Sequence, residues 1–158
     1  MRYERWFEHV WRERHRALDA CAGLGAEEWR RDFGFAAGSL RGMAEHIVET
    51  ERGWICGVVL ADGAPAPSKE QRASWYADAR AARRRSDQVA EGTRRMLAGL
   101  DASRLAETRD ATDREGAPAT FTVAEILMHV LTHELRHHGH VQAMFRLLGR
   151  NAPNLDWI

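Results

Sequence analysis

The sequence predicts an all-α protein: a four-helix bundle with a long crossover between its second and third helices and a polar loop or small hairpin before the fourth. Three observations carry this. Four long stretches repeat apolar residues at helical spacing, and Pro, Gly and small polar residues fall between them. The chain is 158 residues long and 44% apolar, which suits one domain, residues 1–158, able to bury its own core. No internal repeat or low-complexity segment interrupts the pattern, and four helices in one domain pack most simply as a bundle.

The first helix runs from about Arg2 to Cys21, with Tyr3, Trp6, Phe7, Val10, Leu18 and Cys21 at helical spacing and Gly23 and Gly25 as its stop. An irregular piece, Glu27 to Gly34, follows. Ser39 is the N-cap of the second helix, which puts Met43, His46, Ile47, Thr50, Trp54 and Val58 on one face. Gly63, Pro65 and Pro67 end it, and Ala61 to Lys69 reads as the crossover. The third helix starts between Ser68 and Ser74 and ends near Leu100, with a stripe of Trp75, Ala79, Ala82, Val89, Met96 and Leu100. Its triplet Arg83-Arg84-Arg85 reads as a solvated face, because neighbours on a helix point in different directions and no basic patch supports them.

From Asp101 to Thr120 the chain is polar and too long for a tight turn, so a small hairpin or a lid is expected. Thr122 to Glu125 has the spacing of a capping box, and the fourth helix runs to about Leu148, ending at Gly149. Leu131 and Leu135 widen its apolar surface beyond one stripe. Surplus apolar area of that kind marks an interface, so a homodimer is expected.

Composition narrows the function. The 23 basic and 23 acidic residues cancel, leaving no field to attract nucleic acid or an anionic membrane, and a small molecule is the expected partner. Cys21 and Cys56 stand at no metal or redox spacing and read as small core residues of a reduced compartment. The opening Met1 to Trp6 is charged, and no apolar run approaches the roughly 20 residues of a membrane span. The expected address is the cytoplasm.

Five of the eight histidines crowd into the segment Leu127 to His140. At about 100° per residue, His129, His133, His137 and His140 share one side of the fourth helix with Ile126, Val130, Met144 and Leu148. Imidazoles on an apolar face need partners, and two of them one turn apart can grip one metal ion. Spacing leaves His129 with His133 and His133 with His137 as alternative pairs. A third ligand must come from another element, and His46, on the apolar side of the second helix, is the best placed. His138 points about 100° away from His137 and reads as a surface residue or one lying behind the ligands. His9 and His15 have no special context and read as surface residues, with a cavity position as the alternative for His15.

The segment Leu127 to Gly149, with His129, His133, His137, Gly139 and the closing Leu147-Leu148-Gly149, resembles the C-terminal signature of the DinB/YfiT-like metalloenzymes. Ser39 to Glu49, followed by Trp54, resembles that family's first-ligand helix, and Pro153 to Asp156 also fits its tail. The resemblance implies a four-helix bundle, a dimer and a three-histidine site on His46, His133 and His137. Where the family commonly shows His-Arg-Gly-Gln, this chain reads His137-His138-Gly139-His140. His140 is therefore a hydrogen-bond partner of a ligand, a substrate contact or a fourth ligand, and His129 is a candidate for the first and last of these roles. Thr50 and Trp54, one and two turns beyond His46, are candidates to line the cavity, with core packing the preferred reading of Trp54.

Three neutral imidazoles leave a coordination position open and do not select the metal: zinc or nickel is expected first, iron or manganese next. Occupancy should fall below about pH 6.5, where an ordinary histidine protonates. The resemblance implies a thiol-dependent S-transferase using a low-molecular-weight thiol, with a metal-dependent hydrolase and a non-catalytic metal-binding or stress-response protein as alternatives. No catalytic residue is assigned. Glu49 and Glu134 lie near ligands in sequence but read as solvated or interface glutamates.

Overall fold

The structure, a computed structural model, describes residues 2–113 and 115–156. Met1, Arg114, Trp157 and Ile158, which the expected domain span 1–158 includes, lie outside the described residues. The architecture is mostly helical with one small sheet. Its elements are α1 (Tyr3–Cys21), α2 (Ala26–Arg30), α3 (Leu40–Arg52) continued by a π-helical segment (Gly53–Val59), α4 (Lys69–Trp75), α5 (Ala79–Ala98), α6 (Ala102–Ala106), the hairpin β1 (Thr108–Thr112) and β2 (Pro118–Thr122), and α7 (Val123–Leu147).

Several boundaries follow from the end chemistry read in the sequence. The Ser39 side chain accepts from the Gly42 N–H at 3.0 Å and starts α3. Thr122 and Glu125 close a capping box at the start of α7. Gly149, at φ +70°, ends that helix, with the Arg150 N–H donating to the Phe145 carbonyl and the Gly149 N–H to that of Arg146. The polar segment before α7 contains the expected hairpin, antiparallel, with Thr108 opposite Thr122 and Asp110 opposite Thr120.

Other boundaries differ from the expectation. The piece after α1 opens with a helical turn, α2, whose Trp29 is buried in the core. The expected third helix is two helices, α4 and α5, broken at Tyr76 to Asp78. Tyr76 is fully buried and sends its hydroxyl to Glu49 Oε1 at 2.7 Å, while Asp78 caps α5 by accepting from the Ala81 N–H at 2.8 Å. The second helix continues as expected to residue 59, but its last seven residues are π-helical, with the Leu60 N–H bonded to the Ile55 carbonyl five residues back. The extra residue per turn rotates the inward face, so Ile55 and Val59 are core while Trp54 and Val58 lie at its border.

The long helices pack as neighbours, α1 and α3 each against both α5 and α7. Two apolar clusters fill the interior. One gathers Leu18, Trp29, Leu40, Met43, Ile47, Tyr76 and Phe145; the other gathers Phe7, Trp11, Ile55, Met96, Ile126, Val130 and Leu131. Leu131, 3% exposed, is thus core of the chain itself, whereas Leu135 is 42% exposed. The apolar excess expected to mark a dimer face is reduced to Met128, Leu135 and, at its C-terminal end, Leu147 on this helix, because α7 is central and uses most of its sides within the chain.

Between the clusters lies a buried polar layer that the sequence reading missed. Arg14 Nη1 donates to Glu51 Oε2 at 2.7 Å and to Glu134 at 3.4 Å, while the Trp11 indole N–H and the Thr93 hydroxyl also donate to Glu51, at 3.1 and 2.6 Å. All are buried. Glu134 is therefore not solvated; burial pushes its carboxyl up, but Arg14 and His138 outweigh that and hold it below the ordinary carboxylate range. The buried His138 faces Glu134, its Nε2 3.5 Å from Oε1, on the core side of α7.

Candidate metal centre

Two helices build the site. Along α7, His133 and His137 stand one turn apart at the border between core and solvent, and α3 brings His46 opposite them. His46 Nε2 lies 2.9 Å from His133 Nε2 and 3.1 Å from His137 Nε2. One nitrogen from each ring lies within 4.8 Å of the others. His133 and His137 are buried, and His46 keeps its outer edge in solvent. The approach of α3 is set at its first turn: a Cβ on Gly42 would sit 2.1 Å from the Ala37 carbonyl oxygen, so only glycine lets the helix start this close to the preceding loop.

Electrostatics favour the neutral, metal-binding form of all three rings. Burial and then repulsion by the neighbouring His137 and His46 push His133 down to about 3. Burial and then His46 and His140 push His137 down to about 4, and burial lowers His46. The expected loss of ligand competence below about pH 6.5 is thereby moved to more acidic pH. His46 Nε2 carries either one proton or one lone pair, so it can hydrogen-bond only one of the two Nε2 atoms that face it. A cation satisfies all three. Ligand nitrogens about 2.0–2.1 Å from a tetrahedral ion stand about 3.3 Å apart, so the two short contacts need to open only by tenths of an ångström to admit one. The donor set fits a divalent transition metal and could hold it.

The surrounding residues divide clearly. His129 stays outside the trio, its ring 5.9 Å from that of His133 and 5.2 Å, edge to face, from Trp54. His140 also stays outside, with its Nδ1 3.0 Å from His137 Nδ1. Thr50, Gly53, Trp54 and Val58 form one wall of a hollow of about 430 Å³ whose other wall is Ala111 and Thr112 of β1. The Trp54 ring also meets Phe121 of β2 edge-on at 6.1 Å. The expected hairpin thus supplies Ala111 and Thr112 to a hollow that starts at Thr50, one helical turn beyond His46.

Glu49 is neither solvated nor free. It accepts from Arg85 Nε and Nη2 at 2.8 and 3.0 Å and from the Tyr76 hydroxyl; burial raises its carboxyl, but these donors outweigh burial and hold it low. The same contacts correct the reading of the arginine triplet: Arg85 is half-buried over the Trp75 ring at 3.9 Å, and only Arg84 is exposed. Nor are His9 and His15 plain surface residues. His9 is buried beside Arg12, and His15 accepts from Arg83 at 2.9 Å through Nδ1 with its Nε2 against Ser86 Oγ at 3.1 Å. Burial, then Arg83, pushes His15 down to about 4.

Charged residues flanked at i−4 and i+4 by apolar ones were the available signal for the missed polar layer: Arg14 lies between Val10 and Leu18, and Glu51 between Ile47 and Ile55. A charge in the middle of an apolar stripe must find its partners inside.

Fold and site together define a class, mostly helical proteins in which two packed helices bring three histidines around one point able to hold a metal. The chain belongs to the DinB family, whose model matches residues 2–158. Among solved structures, a DinB-like protein from Bacillus cereus ATCC 10987 has a TM-score of 0.66 and 18% identity, over 96% of this chain and 94% of that one, a likeness of fold. No curated protein matches the sequence. Among the described residues, no helix is long and apolar enough to cross a membrane.

Proposed function

We propose that the chain is one DinB-like domain, a four-helix bundle in its long helices, that holds one divalent transition metal, zinc or nickel first, on His46, His133 and His137 and acts as a thiol-dependent S-transferase. The observation that carries this reading is the convergence of three neutral imidazoles at the rim of the core, with His46 facing solvent and an open hollow one turn further along its helix. A divalent ion in this position supplies Lewis acidity, lowering the pKa of a thiol or water that reaches it. The chain's own part is to keep three ligands unprotonated, hold them in place, and position the second substrate. Trp54 provides an apolar wall and Thr50 a hydroxyl at the edge of the hollow. Glu49 and Glu134 are both engaged by arginines, so neither is offered as a general base, and the proton leaves with solvent or the leaving group. A cytoplasmic address, a small-molecule substrate and a homodimer with α7 at its interface belong to the same proposal.

The test begins with metal content. Purified protein should carry or take up one ion per chain, and His137→Ala should lose it; undiminished metal in that variant defeats the ligand assignment, and loss in His129→Ala alone would favour the other pair. Cobalt-substituted protein then reports access to the ion. A visible spectrum that shifts with an added low-molecular-weight thiol supports S-transfer, and a response to azide with no turnover of thiol favours the hydrolase. A spectrum unmoved by saturating thiol and azide would leave a non-catalytic metal-binding or stress-response role.

A further inference from the structure

His137 has two ring nitrogens, and both face another imidazole nitrogen. Its Nε2 points into the trio, 3.1 Å from His46 Nε2, and its Nδ1 lies 3.0 Å from Nδ1 of His140. A neutral imidazole carries one N–H and one lone pair. Two nitrogens at 3.0 Å therefore share one proton, and the side on which it sits decides what Nε2 of His137 presents to the centre. If His140 donated, His137 would accept at Nδ1, carry its own proton on Nε2 and be unable to bind a metal through that atom. If His137 donates, its Nε2 lone pair is free and aimed at His46 and His133.

From this contact we infer that His140 is a positioning residue for the metal centre: its Nδ1 accepts the Nδ1–H of His137 and so fixes that ligand's tautomer and ring plane. This inference rests on the metal reading proposed above. His140 is itself held in place, one turn along α7 from His137 and with its ring edge-on to Phe35 at 6.0 Å, in the loop ahead of α3. With Nδ1 engaged, its proton resides on Nε2, at the other side of the ring, and it has no lone pair left for an ion. That separates its role from that of a fourth ligand, in agreement with its position outside the group of converging nitrogens. Metal-ligating imidazoles ordinarily need such an acceptor on their far nitrogen, and here a third histidine of α7 supplies it where a carboxylate or carbonyl often does.

The experiment compares zinc affinity, by competition with a chromophoric chelator, in wild type, His137→Ala, His140→Gln and His140→Leu, and reads the protonation of the ring nitrogens in zinc-loaded, ¹⁵N-labelled protein from long-range proton–nitrogen spectra. Glutamine keeps an acceptor oxygen and should hold zinc within a few-fold of wild type. Leucine keeps bulk but no acceptor and should weaken zinc about 10–100-fold. The spectra should show His137 protonated at Nδ1 and bound through Nε2, and His140 unprotonated at Nδ1. Wild-type affinity in His140→Leu, equal losses in the Gln and Leu variants, or a proton or zinc on His140 Nδ1 would overturn the positioning role while leaving the metal site standing. Failure of wild type to bind zinc, or full binding by His137→Ala, would overturn the metal reading and this inference with it.

Discussion

Replacing Arg14 with Met tests the buried polar layer. The guanidinium is 3% exposed and is the cation between Glu51 and Glu134, both essentially out of water. Methionine preserves much of the volume but leaves two buried carboxylates. Glu51 retains the Trp11 and Thr93 donors, whereas Glu134 is left facing His138 alone. Removing one partner of a buried ion pair costs about 3–5 kcal/mol, because the desolvated charge that remains has lost its compensation. For a chain of this length 1 kcal/mol moves the melting midpoint by about 2–4 °C, so a drop of about 6–20 °C is expected. The assay is thermal and urea unfolding followed by far-UV circular dichroism on metal-free protein, so that ligand linkage does not enter. Arg14→Met/Glu134→Leu should recover much of the loss, since it removes the stranded carboxylate as well. A single variant within about 1 kcal/mol of wild type, or a double variant worse than additive, would refute the account.

Acid should destabilise the metal-free protein through its buried histidines. His133 is pushed down to about 3, and His137 and His15 to about 4, against about 6.5 when unfolded. Below 6.5 the unfolded chain binds protons that the fold does not, so stability is full above that pH and falls by about 1.4 kcal/mol per unit per histidine toward pH 4. Urea midpoints that do not change between pH 7 and pH 5 would contradict this. Gly42→Ala should cost at least about 1–3 kcal/mol, because its Cβ would overlap the Ala37 carbonyl, and should weaken metal binding through His46; unchanged unfolding and metal content would count against the close approach.

Local chemistry was readable and long-range pairing was not. Ser39, Thr122 and Gly149 announce helix ends because a cap acts within four residues, and the structure puts the ends there. The break at Tyr76 was hidden because it depends on a hydroxyl reaching Glu49, 27 residues earlier. Likewise, α1 alone shows only that Arg14 interrupts an apolar stripe, and it takes α3 and α7 together to show which partners hold it inside. In the site, one-turn spacing on α7 offered two equivalent pairs. What separates them in space is the approach of His46 to His133 and His137, while His129 turns toward Trp54. The role of His140 depends on which of two nitrogens it presents, a matter of a few ångströms that residue spacing does not encode.

The π-helical segment separates two jobs on one rod. Bonding five residues back in place of four is what results when a residue is inserted into an α-helix and the surplus is absorbed as a wider turn. His46 lies on the regular side of that surplus, and Trp54 and Val58 lie within it. A one-residue deletion there, at Gly57 for instance, would let the turn relax toward α-geometry and re-aim Val58, at the far end of the cleft wall, by about 100° while leaving His46, Thr50 and Trp54 in register. The wide turn thus acts as a joint on one rod, beyond which the end of the cleft wall can be re-aimed without disturbing the ring of nitrogens.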